Sequence, residues 1–285
     1  MITFMFPGQG AQHKGMGAAL FGRFPEQMRQ AREVLGWDVA ALCAEGGPRL
    51  NDTAYTQPAL YTVNALTHMA LAQRSGVQPD YVAGHSLGEY NALLCAGVFD
   101  FRTGLELVRK RGELMARQNG KGGMIAVLDP DRAVLDEIAA GLGGDFCLAN
   151  DNAPDQLVYA GSSAAVDAAG ARITARQAGK VVPLKVSGAF HTRFMAEAAE
   201  EFRGFCAQAA FRPAQWPVIS NQTAQPHDGG QWADTLANHL TRPVQWRQTL
   251  AWLAGRGPML FQEIGPGAVL TKLAQNNLQS QKPGR

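Results

Sequence analysis

The stretch GHSLG, residues 84–88, places a serine between two glycines, after an apolar run and before residues with helical spacing. In a G-x-S-x-G turn the serine projects at the start of a helix, and the glycines let a substrate carbonyl approach. The amide of Leu87 and the helix dipole would then stabilise the negative charge that forms on the attacked carbonyl oxygen. This arrangement indicates that Ser86 is a nucleophile.

The same segment also fits an ordinary helix cap. Ser86 and Glu89 have the S-x-x-E spacing of a capping box, a common pattern that would be the preferred interpretation if it stood alone. The two glycines directly after a strand favour the nucleophile instead. Both roles are compatible, with Glu89 stabilising the turn.

A serine hydroxyl is a poor nucleophile until a base takes its proton, so the six histidines are the next candidates. His191 ends VSGAFH, a turn of small residues after a predicted strand, and would reach the same sheet edge as Ser86. His239, in ANHLTRP, is the second candidate by position. His85 adjoins Ser86 but points another way if the chain is extended there. The residues alone favour His191 and leave His239 open.

The elements that would position these side chains follow the order strand, glycine turn, helix, which is typical of a parallel α/β sheet. Residues 2–6 are predicted to form a buried strand that ends at PGQG, and residues 81–83 a strand that ends at GHSLG before a helix. Ligands of such folds bind at the carboxyl ends of the strands, where we expect both glycine turns. Two later strands, PVISN and MLFQEIGPG, would belong to the same large domain.

A different pattern begins at Gly123. It predicts a strand (MIAVL), a helix (131–140), two strands (DFCLAN and QLVYAG), a helix (163–179) and a last strand (VVPLKV). This βαββαβ order is that of a ferredoxin-like unit. We therefore expect an α/β protein with a large α/β-hydrolase-like domain, residues 1–122 and 188–285, whose sheet is mostly parallel. A small ferredoxin-like domain, residues 123–187, would be inserted into it.

The composition excludes several classes of function. The 285 residues are 46% hydrophobic and carry a net charge of +2, too balanced to attract nucleic acid or a membrane by charge alone. The four cysteines form no CxxC pair, so no zinc site is predicted. The N-terminus lacks signal-peptide features, and the longest uncharged stretch, residues 53–73, is too polar to span a bilayer. We expect a cytoplasmic protein with no metal, nucleic-acid or membrane partner.

Eight sequence blocks resemble those of malonyl-CoA:acyl-carrier-protein transacylases and of the acyltransferases of polyketide synthases. They run in the family's order from Phe4 to about Leu273: FPGQGAQHKGMG, TQPAL, GHSLGEY, RKRGELM, GAFHT, ISNQTA, HLTRPVQW and EIGPGAVLTKL. Such an ordered set is far more specific than one GxSxG motif. The chain is similar in particular to the discrete enzymes that serve polyketide synthases without built-in acyltransferases. We expect a free-standing, monomeric acyltransferase.

The resemblance implies a role for each part of the site. Ser86 would be the nucleophile and His191 the base of a dyad. The second ring nitrogen of His191 would be held by a backbone carbonyl, here that of His239, where many relatives carry glutamine. The oxyanion hole would be the backbone amides of Leu87 and Gln9. Without a serine nearby, PGQG would be interpreted as an ordinary turn.

The family's malonyl substrate has a free carboxylate, which an arginine can bind through two parallel hydrogen bonds. On the predicted helix LELVRKRGELMARQ, Arg111 and Arg109 lie about 60° and about 100° from Val108 in opposite directions, so geometry does not choose between them. The family's arginine precedes a glycine, which selects Arg111, and relatives that hydrolyse acyl chains tend to lack it. Gln57, in TQPAL, would also bind substrate.

The residues before His191 concern the choice of acyl group. AFH resembles the malonyl-type pattern, whereas methylmalonyl enzymes tend to have serine in place of Phe190. The Phe190 ring would fill the space that an α-methyl group needs, although one methyl group contributes only about 1 to 3 kcal/mol. Gly188 departs from the commoner bulkier residue and could loosen the pocket.

The resemblance implies a two-step exchange without a bound cofactor. The malonyl group would move from malonyl-CoA to Ser86, and then to the phosphopantetheine thiol of an acyl carrier protein, for polyketide or fatty-acid synthesis. Two alternatives stay open: a hydrolase of acyl-carrier-protein thioesters, and an inactive protein that docks carrier proteins. α/β-hydrolases have no counterpart of PGQG, and the intact Ser86, His191 and Arg111 disfavour a docking protein.

Overall fold

Two β-sheets form the framework of the protein in the computed structural model, which describes residues 1–118, 120–186 and 188–280. The strands are β1 (Ile2–Phe6), β2 (Tyr81–Gly84), β3 (Gly123–Leu128), β4 (Phe146–Ala153), β5 (Gln156–Gly161), β6 (Lys180–Pro183), β7 (Val218–Ile219) and β8 (Leu260–Glu263). The large sheet has the order β7-β2-β1-β8 with parallel neighbours. The small sheet has the order β4-β5-β3-β6 with antiparallel neighbours. The predicted fold class is confirmed.

Helices connect these strands. They are α1 (Ala18–Phe21), α2 (Pro25–Leu35), α3 (Val39–Glu45), α4 (Gly47–Leu50), α5 (Thr53–Ser75), α6 (Gly88–Cys95), α7 (Phe101–Ala116), α8 (Arg132–Ala140), α9 (Ser163–Ala175), α10 (Ala196–Cys206), α11 (Trp232–Asn238), α12 (Trp246–Ala254) and α13 (Val269–Ser280). A short 3₁₀ helix covers Arg193–Met195. The order β3-α8-β4-β5-α9-β6 is the predicted βαββαβ sequence.

The large sheet brings the two glycine turns to one edge. Phe4, Met5 and Phe6 of β1 are fully buried, as expected for a parallel strand covered on both faces, and their sequence is accordingly a continuous apolar run. In the parallel pair of β1 and β2, Phe6 lies opposite Gly84. PGQG and GHSLG therefore follow neighbouring strand ends, as predicted.

The long uncharged stretch forms α5, which packs against α6 and α7. Its buried residues, from Thr53 to Leu71, lie on all its faces in the first half, so the low charge of this segment reflects burial inside the protein. Across the described residues, no helix combines the length and the hydropathy needed to cross a bilayer.

Several element ends differ from the predicted ones. Helix α9 stops at Ala175 instead of residue 179, because Gln177 and Gly179 have positive φ angles that a helix does not tolerate. Strand β4 continues beyond Asn150 to Ala153, and β6 ends at Pro183. The domain limits at 122/123 and 187/188 stay a prediction. Residues 119, 187 and 281–285, which that prediction includes, lie outside the described residues.

Hydrogen bonds compensate the burial of Asp151, a charged residue near the end of β4. Its buried carboxylate accepts hydrogen bonds from Arg132 Nη2 at 2.6 Å, Arg247 Nη2 at 2.9 Å and Gln248 Nε2 at 2.9 Å. Its backbone N–H donates to the carbonyl of Val244 at 2.9 Å. These bonds join β4 both to α8 beside it and to α12, which packs near the large sheet.

We expect the substitution Asp151→Asn to destabilise the protein by about 2–4 kcal/mol near neutral pH. We expect a loss at the lower end of this range, because the side chains of Arg132 and Arg247 are 38% and 36% exposed and water can solvate them. Burial raises the pKa of the Asp151 carboxyl, but the hydrogen bonds and charges of the two arginines bring it below its usual range.

The sign of the pH effect follows from this lowered pKa. The stabilisation is present above the ordinary aspartate pKa and is lost as the pH falls through the lower folded-state value. Urea unfolding of both proteins at neutral and acidic pH measures it. A difference in free energy of unfolding that persists unchanged into acid would contradict the ion-pair explanation.

Candidate active site

Ser86 lies in the tight turn between β2 and α6. Its φ angle of 51° is unusual for a residue other than glycine and is typical of a serine held on a strained strand-to-helix turn. A side chain on Gly84 would overlap the backbone of Gly88, and one on Gly88 would overlap the carbonyl of Phe6. Only glycines therefore allow the turn to pack this closely against the end of β1.

The turn is not a capping box, so that interpretation was wrong. Helix α6 begins at Gly88, and no side chain forms a cap hydrogen bond at its N-terminus among the described residues. The N–H of Ser86 donates to Asn221 Oδ1 at 2.8 Å, and Asn221 Nδ2 donates to the Gly84 carbonyl at 2.5 Å. Glu89 binds His227 instead of the turn. Asn221, and not Glu89, therefore holds the turn.

Asn221 was missed by the sequence reasoning, although a signal for it exists. It lies in the block ISNQTA, two residues after the end of β7, and β7 is the parallel neighbour of β2. The carboxyl ends of neighbouring parallel strands meet at one sheet edge. A polar side chain at that position could have been placed beside Ser86.

His191 is the histidine whose ring reaches Ser86. Its Nε2 lies 2.8 Å from Ser86 Oγ, across 105 residues of sequence, and its Nδ1 lies 3.0 Å from the backbone carbonyl of His239. A carbonyl only accepts, so Nδ1 carries the proton and Nε2 is free to accept the hydroxyl proton of Ser86. This is the geometry of a serine and its base, with a carbonyl in the place of a third side chain.

The ring of His239 does not share that position. Its Nδ1 lies 3.2 Å from Glu89 Oε2, and the residue does not line the cavity beside Ser86 in the part of the chain that the structure describes. His85 lines the cavity, but its Nε2 lies 2.7 Å from Asn152 Oδ1 and does not contact the Ser86 hydroxyl among the described residues. Of the histidine side chains considered from sequence, the geometry brings His191 alone to the hydroxyl among the described residues.

Arg111 is the arginine that faces Ser86. It is only 1% exposed, its Nη2 donates to Ser86 Oγ at 3.1 Å, and its Nη1 donates to Gln57 Oε1 at 2.6 Å. Arg109 lies toward solvent, with its side chain 40% exposed and Nη1 3.8 Å from Glu113 Oε1. The structure thus separates the two positions that helical geometry had left open, and it places a buried cation beside the hydroxyl.

The backbone around Gln9 and Leu87 leaves two amides beside the serine. A side chain on Gly8 would overlap the carbonyl of His85, so PGQG lies directly against the serine turn. Within the described residues, neither the Gln9 nor the Leu87 N–H donates a hydrogen bond. Two free N–H groups close to a nucleophile are what an oxyanion hole requires.

A cavity of about 90 Å³ opens beside Ser86. Its lining includes all the side chains predicted for the site except His239, together with residues of the small sheet and the chain after it: Gln9, Gln57, His85, Ser86, Leu87, Arg111, Met115, Met124, Asn150, Val158, Leu184, Val186, Phe190 and His191. Phe190 forms an apolar wall, and a Cβ atom on Gly188 would lie 2.8 Å from its ring. The cavity suits a small acyl group with a negative charge.

The electrostatics keep His191 uncharged. Burial and, to a smaller extent, the positive charge of Arg111 lower its pKa to about 3, although the hydrogen bond to the His239 carbonyl acts in the opposite direction. Burial also lowers the pKa of Arg111, while the nearby Tyr90 and Glu89 oppose that change. The imidazole is therefore neutral near pH 7 and able to accept a proton.

We expect the reaction of Ser86 with a fluorophosphonate, which depends on the same base, to keep its rate between about pH 8 and about pH 5. Protonation blocks the base, so a lowered pKa of His191 moves the loss of reactivity to lower pH. Intact mass measures the labelling, and far-UV circular dichroism checks the fold at each pH. A rate that halves near the ordinary histidine pKa of about 6.5 would contradict this expectation.

No group of three or more histidine, cysteine, aspartate or glutamate side chains in the described ranges is arranged to hold a metal ion. The cysteines are free, and Cys43, Cys95 and Cys206 are buried, where burial raises the pKa of each thiol to about 12. Such thiols are unreactive.

Comparison with known proteins gives consistent matches along the whole chain. The acyl transferase domain family matches residues 3–285. The polyketide biosynthesis malonyl CoA-acyl carrier protein transacylase PksC of Bacillus subtilis is 46% identical over 279 residues, which cover 96% of this chain and 96% of that protein. Other relatives are longer, and this chain spans 36% of one of them.

Solved structures agree in fold. Malonyl CoA-acyl carrier protein transacylase from Burkholderia pseudomallei has a TM-score of 0.93 and 43% identity, and the match covers 100% of this chain and 99% of that one. A malonyl-transacylase in complex with its type II polyketide-synthase acyl-carrier protein, PlMCAT:AntF, has a TM-score of 0.92 and 35% identity, covering 98% and 93%.

Proposed function

The chain belongs to the malonyl-CoA:acyl-carrier-protein transacylase family, and we propose that it transfers a malonyl group from malonyl-CoA to the phosphopantetheine thiol of an acyl carrier protein. The reaction serves polyketide or fatty-acid synthesis. One observation carries the choice of acyl group: the buried guanidinium of Arg111 lies 3.1 Å from Ser86 Oγ. A carboxylate bound there has its acyl carbon next to the nucleophile.

The first step loads the enzyme. His191 Nε2 takes the proton of Ser86 while Oγ attacks the thioester carbonyl of malonyl-CoA. The oxyanion of the tetrahedral intermediate accepts hydrogen bonds from the backbone N–H groups of Gln9 and Leu87. As the C–S bond breaks, the sulfur of coenzyme A receives the proton from His191, and the malonyl ester of Ser86 remains. The 2.8 Å contact between Ser86 and His191 supports these roles.

The second step transfers the malonyl group from Ser86 to the carrier protein through the same groups, in the reverse order. The phosphopantetheine thiol gives its proton to His191 and attacks the ester carbonyl. The same two amides stabilise the oxyanion, and Ser86 leaves and regains its proton from His191. The His239 carbonyl keeps His191 in one tautomer through both steps, because it holds the proton on Nδ1.

Arg111, Gln57 and Phe190 select the acyl group. Arg111 binds the malonyl carboxylate, and Gln57 holds the guanidinium through the 2.6 Å hydrogen bond to Nη1. The carboxylate restores a full charge partner to a buried cation, which favours malonyl over acetyl. Phe190 narrows the cavity and favours malonyl over methylmalonyl, by about 1 to 3 kcal/mol at most for a single methyl group.

The small sheet limits the access of water. We assign residues 123–187 to the small domain and residues 1–122 and 188–285 to the large one. Met124, Asn150 and Val158 of the small sheet line the cavity, which supports a role for this domain as its cover. A covered ester is protected from hydrolysis until the carrier's thiol arrives.

Three further proposals concern the oligomeric state, the cofactors and the localisation of the protein. We propose that the protein acts as a monomer. The exchange needs no metal or bound cofactor, since the nucleophile, base and oxyanion donors come from the protein. The free, mostly buried cysteines support a reducing compartment such as the cytoplasm.

The test is to follow intact mass during two additions. Malonyl-CoA should add one malonyl group to the protein, and a phosphopantetheinylated carrier protein should then remove it and gain the same mass. Ser86→Ala, the matched control, should gain nothing. Free malonate released at the same rate with or without carrier would indicate a hydrolase, and no adduct in the wild type would contradict the proposal.

A further inference from the structure

A buried acidic group lies beneath the catalytic pair and takes no part in the steps above. Glu89 is 1% exposed, and its Oε1 accepts a hydrogen bond from His227 Nε2 at 2.6 Å. Its Oε2 lies 3.2 Å from His239 Nδ1. We call Glu89, His227 and His239 the Glu89 cluster. All three side chains are at least nine-tenths buried.

The cluster is unusual because of the charge that it buries. Among the described residues, Glu89 and Asp151 are the carboxylates buried below 3% exposure. Asp151 is paired with two arginines and also bonds a glutamine amide, which explains its burial. The side chains within ion-pair distance of Glu89 are both histidines. Histidines compensate a buried carboxylate less well than arginines do, so the burial of Glu89 there calls for a reason.

The cluster is connected to His191 through His239. The carbonyl of His239 receives the Nδ1 proton of His191, and Nδ1 of the His239 ring lies 3.2 Å from Glu89 Oε2, with the ring centre 5.0 Å from that of the His191 ring. Oε2 of Glu89 and both ring nitrogens of His239 have no hydrogen-bond partner in the part of the chain that is described, so the 3.2 Å contact between Oε2 and Nδ1 lacks hydrogen-bond geometry. The Glu89 carboxyl is therefore the group that faces Nδ1 of the His239 ring.

The Glu89 cluster is placed to offset the positive charge that forms on His191 during the reaction. When His191 accepts the Ser86 proton, it becomes a cation beside the buried guanidinium of Arg111, and two like charges repel each other strongly in a buried site. The buried Glu89 carboxyl contacts the ring of His239, the residue whose carbonyl is the partner of His191 Nδ1. A fixed negative charge there lowers the energy of the imidazolium that forms in each step.

We propose that Glu89 is a positioning residue for His191, acting through His239, and that His227 holds the Glu89 carboxylate in place. The inference rests on the proposed function, because it concerns the same proton transfer. Removing the charge should slow proton transfer without weakening the binding of malonyl-CoA, since none of the three side chains lines the acyl cavity within the described residues.

The test compares Glu89→Gln with the wild type in malonyl transfer and in fluorophosphonate labelling of Ser86. We expect kcat and the labelling rate to fall together, roughly 10- to 100-fold, with KM for malonyl-CoA changed less than about twofold. Glu201→Gln, which removes a carboxylate from a surface pair with Lys110 and Arg117, should match the wild type in both rates.

Two substitutions of His227 provide an independent arm. His227→Gln keeps an N–H donor for Glu89 and should retain most of kcat, whereas His227→Phe removes the donor and should lower it as Glu89→Gln does. This pair decides the question if Glu89→Gln does not fold. Equal kcat for the two His227 variants would overturn the proposal.

The outcomes also separate this inference from the proposed function. Glu89→Gln with the wild-type kcat and labelling rate but a lower thermal midpoint would show a purely structural cluster and overturn the inference. A wild type that labels with fluorophosphonate but transfers no malonyl group would refute the proposed function. The labelling rates of the variants would still test Glu89 in that case.

Discussion

Replacing His191 with alanine should lower the rate at which malonyl-CoA acylates Ser86 by roughly a thousandfold or more. Without Nε2 at 2.8 Å, the hydroxyl has no other base in contact among the described residues and must lose its proton to solvent. Its residual rate should therefore rise with pH, whereas that of the wild type should not near neutral pH. Quenched-flow sampling with intact mass measures the acylation rate directly.

His13→Ala is the matched control for that variant, because His13 is exposed and its ring bonds only its own loop among the described residues. It should acylate at nearly the wild-type rate. If the His191 variant loses no more activity than the His13 variant, another group is the base. Labelling by fluorophosphonate should fall in parallel with acylation, since both reactions use the same proton acceptor.

Replacing Arg111 with alanine should lower kcat/KM for malonyl-CoA by roughly a hundredfold to a thousandfold and raise the preference for acetyl-CoA. Malonyl carries a carboxylate that would lose its buried partner, whereas acetyl carries none. The variant also removes a positive charge near His191, so the pKa of His191 should rise toward its ordinary value. The acid side of the pH profile should accordingly move to higher pH.

Arg109→Ala makes the same change two residues earlier on α7 and is the control. Its side chain is 40% exposed and pairs loosely with Glu113, so neither substrate should be affected. Competition between malonyl-CoA and acetyl-CoA, read by intact mass, gives the preference in one experiment. Equal losses on both substrates in the Arg111 variant would refute its role as the carboxylate partner.

The elements around the nucleophile could be predicted because the residues of each element determine it without help from distant parts of the chain. An apolar strand, a glycine pair and a helix all lie within the fifteen residues from Tyr81 to Cys95, and parallel pairing brings PGQG to the same edge. The choice between Arg109 and Arg111 could not be made from helical geometry. It depends on α5 packing against α7, which covers one side of the apolar face and leaves the other in water.

The surroundings of Glu89 could not be read from the sequence for a related reason. Its spacing from Ser86 fits a capping box, but its partner His227 lies 138 residues away, and the turn is held by Asn221, 135 residues from Ser86. A local pattern gives no information on which distant side chain competes for the same group. Likewise, the polar end of β4 is stable as a strand because Arg132 and Arg247 neutralise Asp151.

The contact between Gly188 and Phe190 has a practical consequence for the engineering of extender-unit choice. Any larger residue at 188 would press against the Phe190 ring, since its Cβ atom would lie 2.8 Å from that ring. The effects of substitutions at residues 188 and 190 are therefore not additive, and single substitutions would not show which combinations of residues the cavity accepts. Libraries meant to admit bulkier building blocks should vary both codons together.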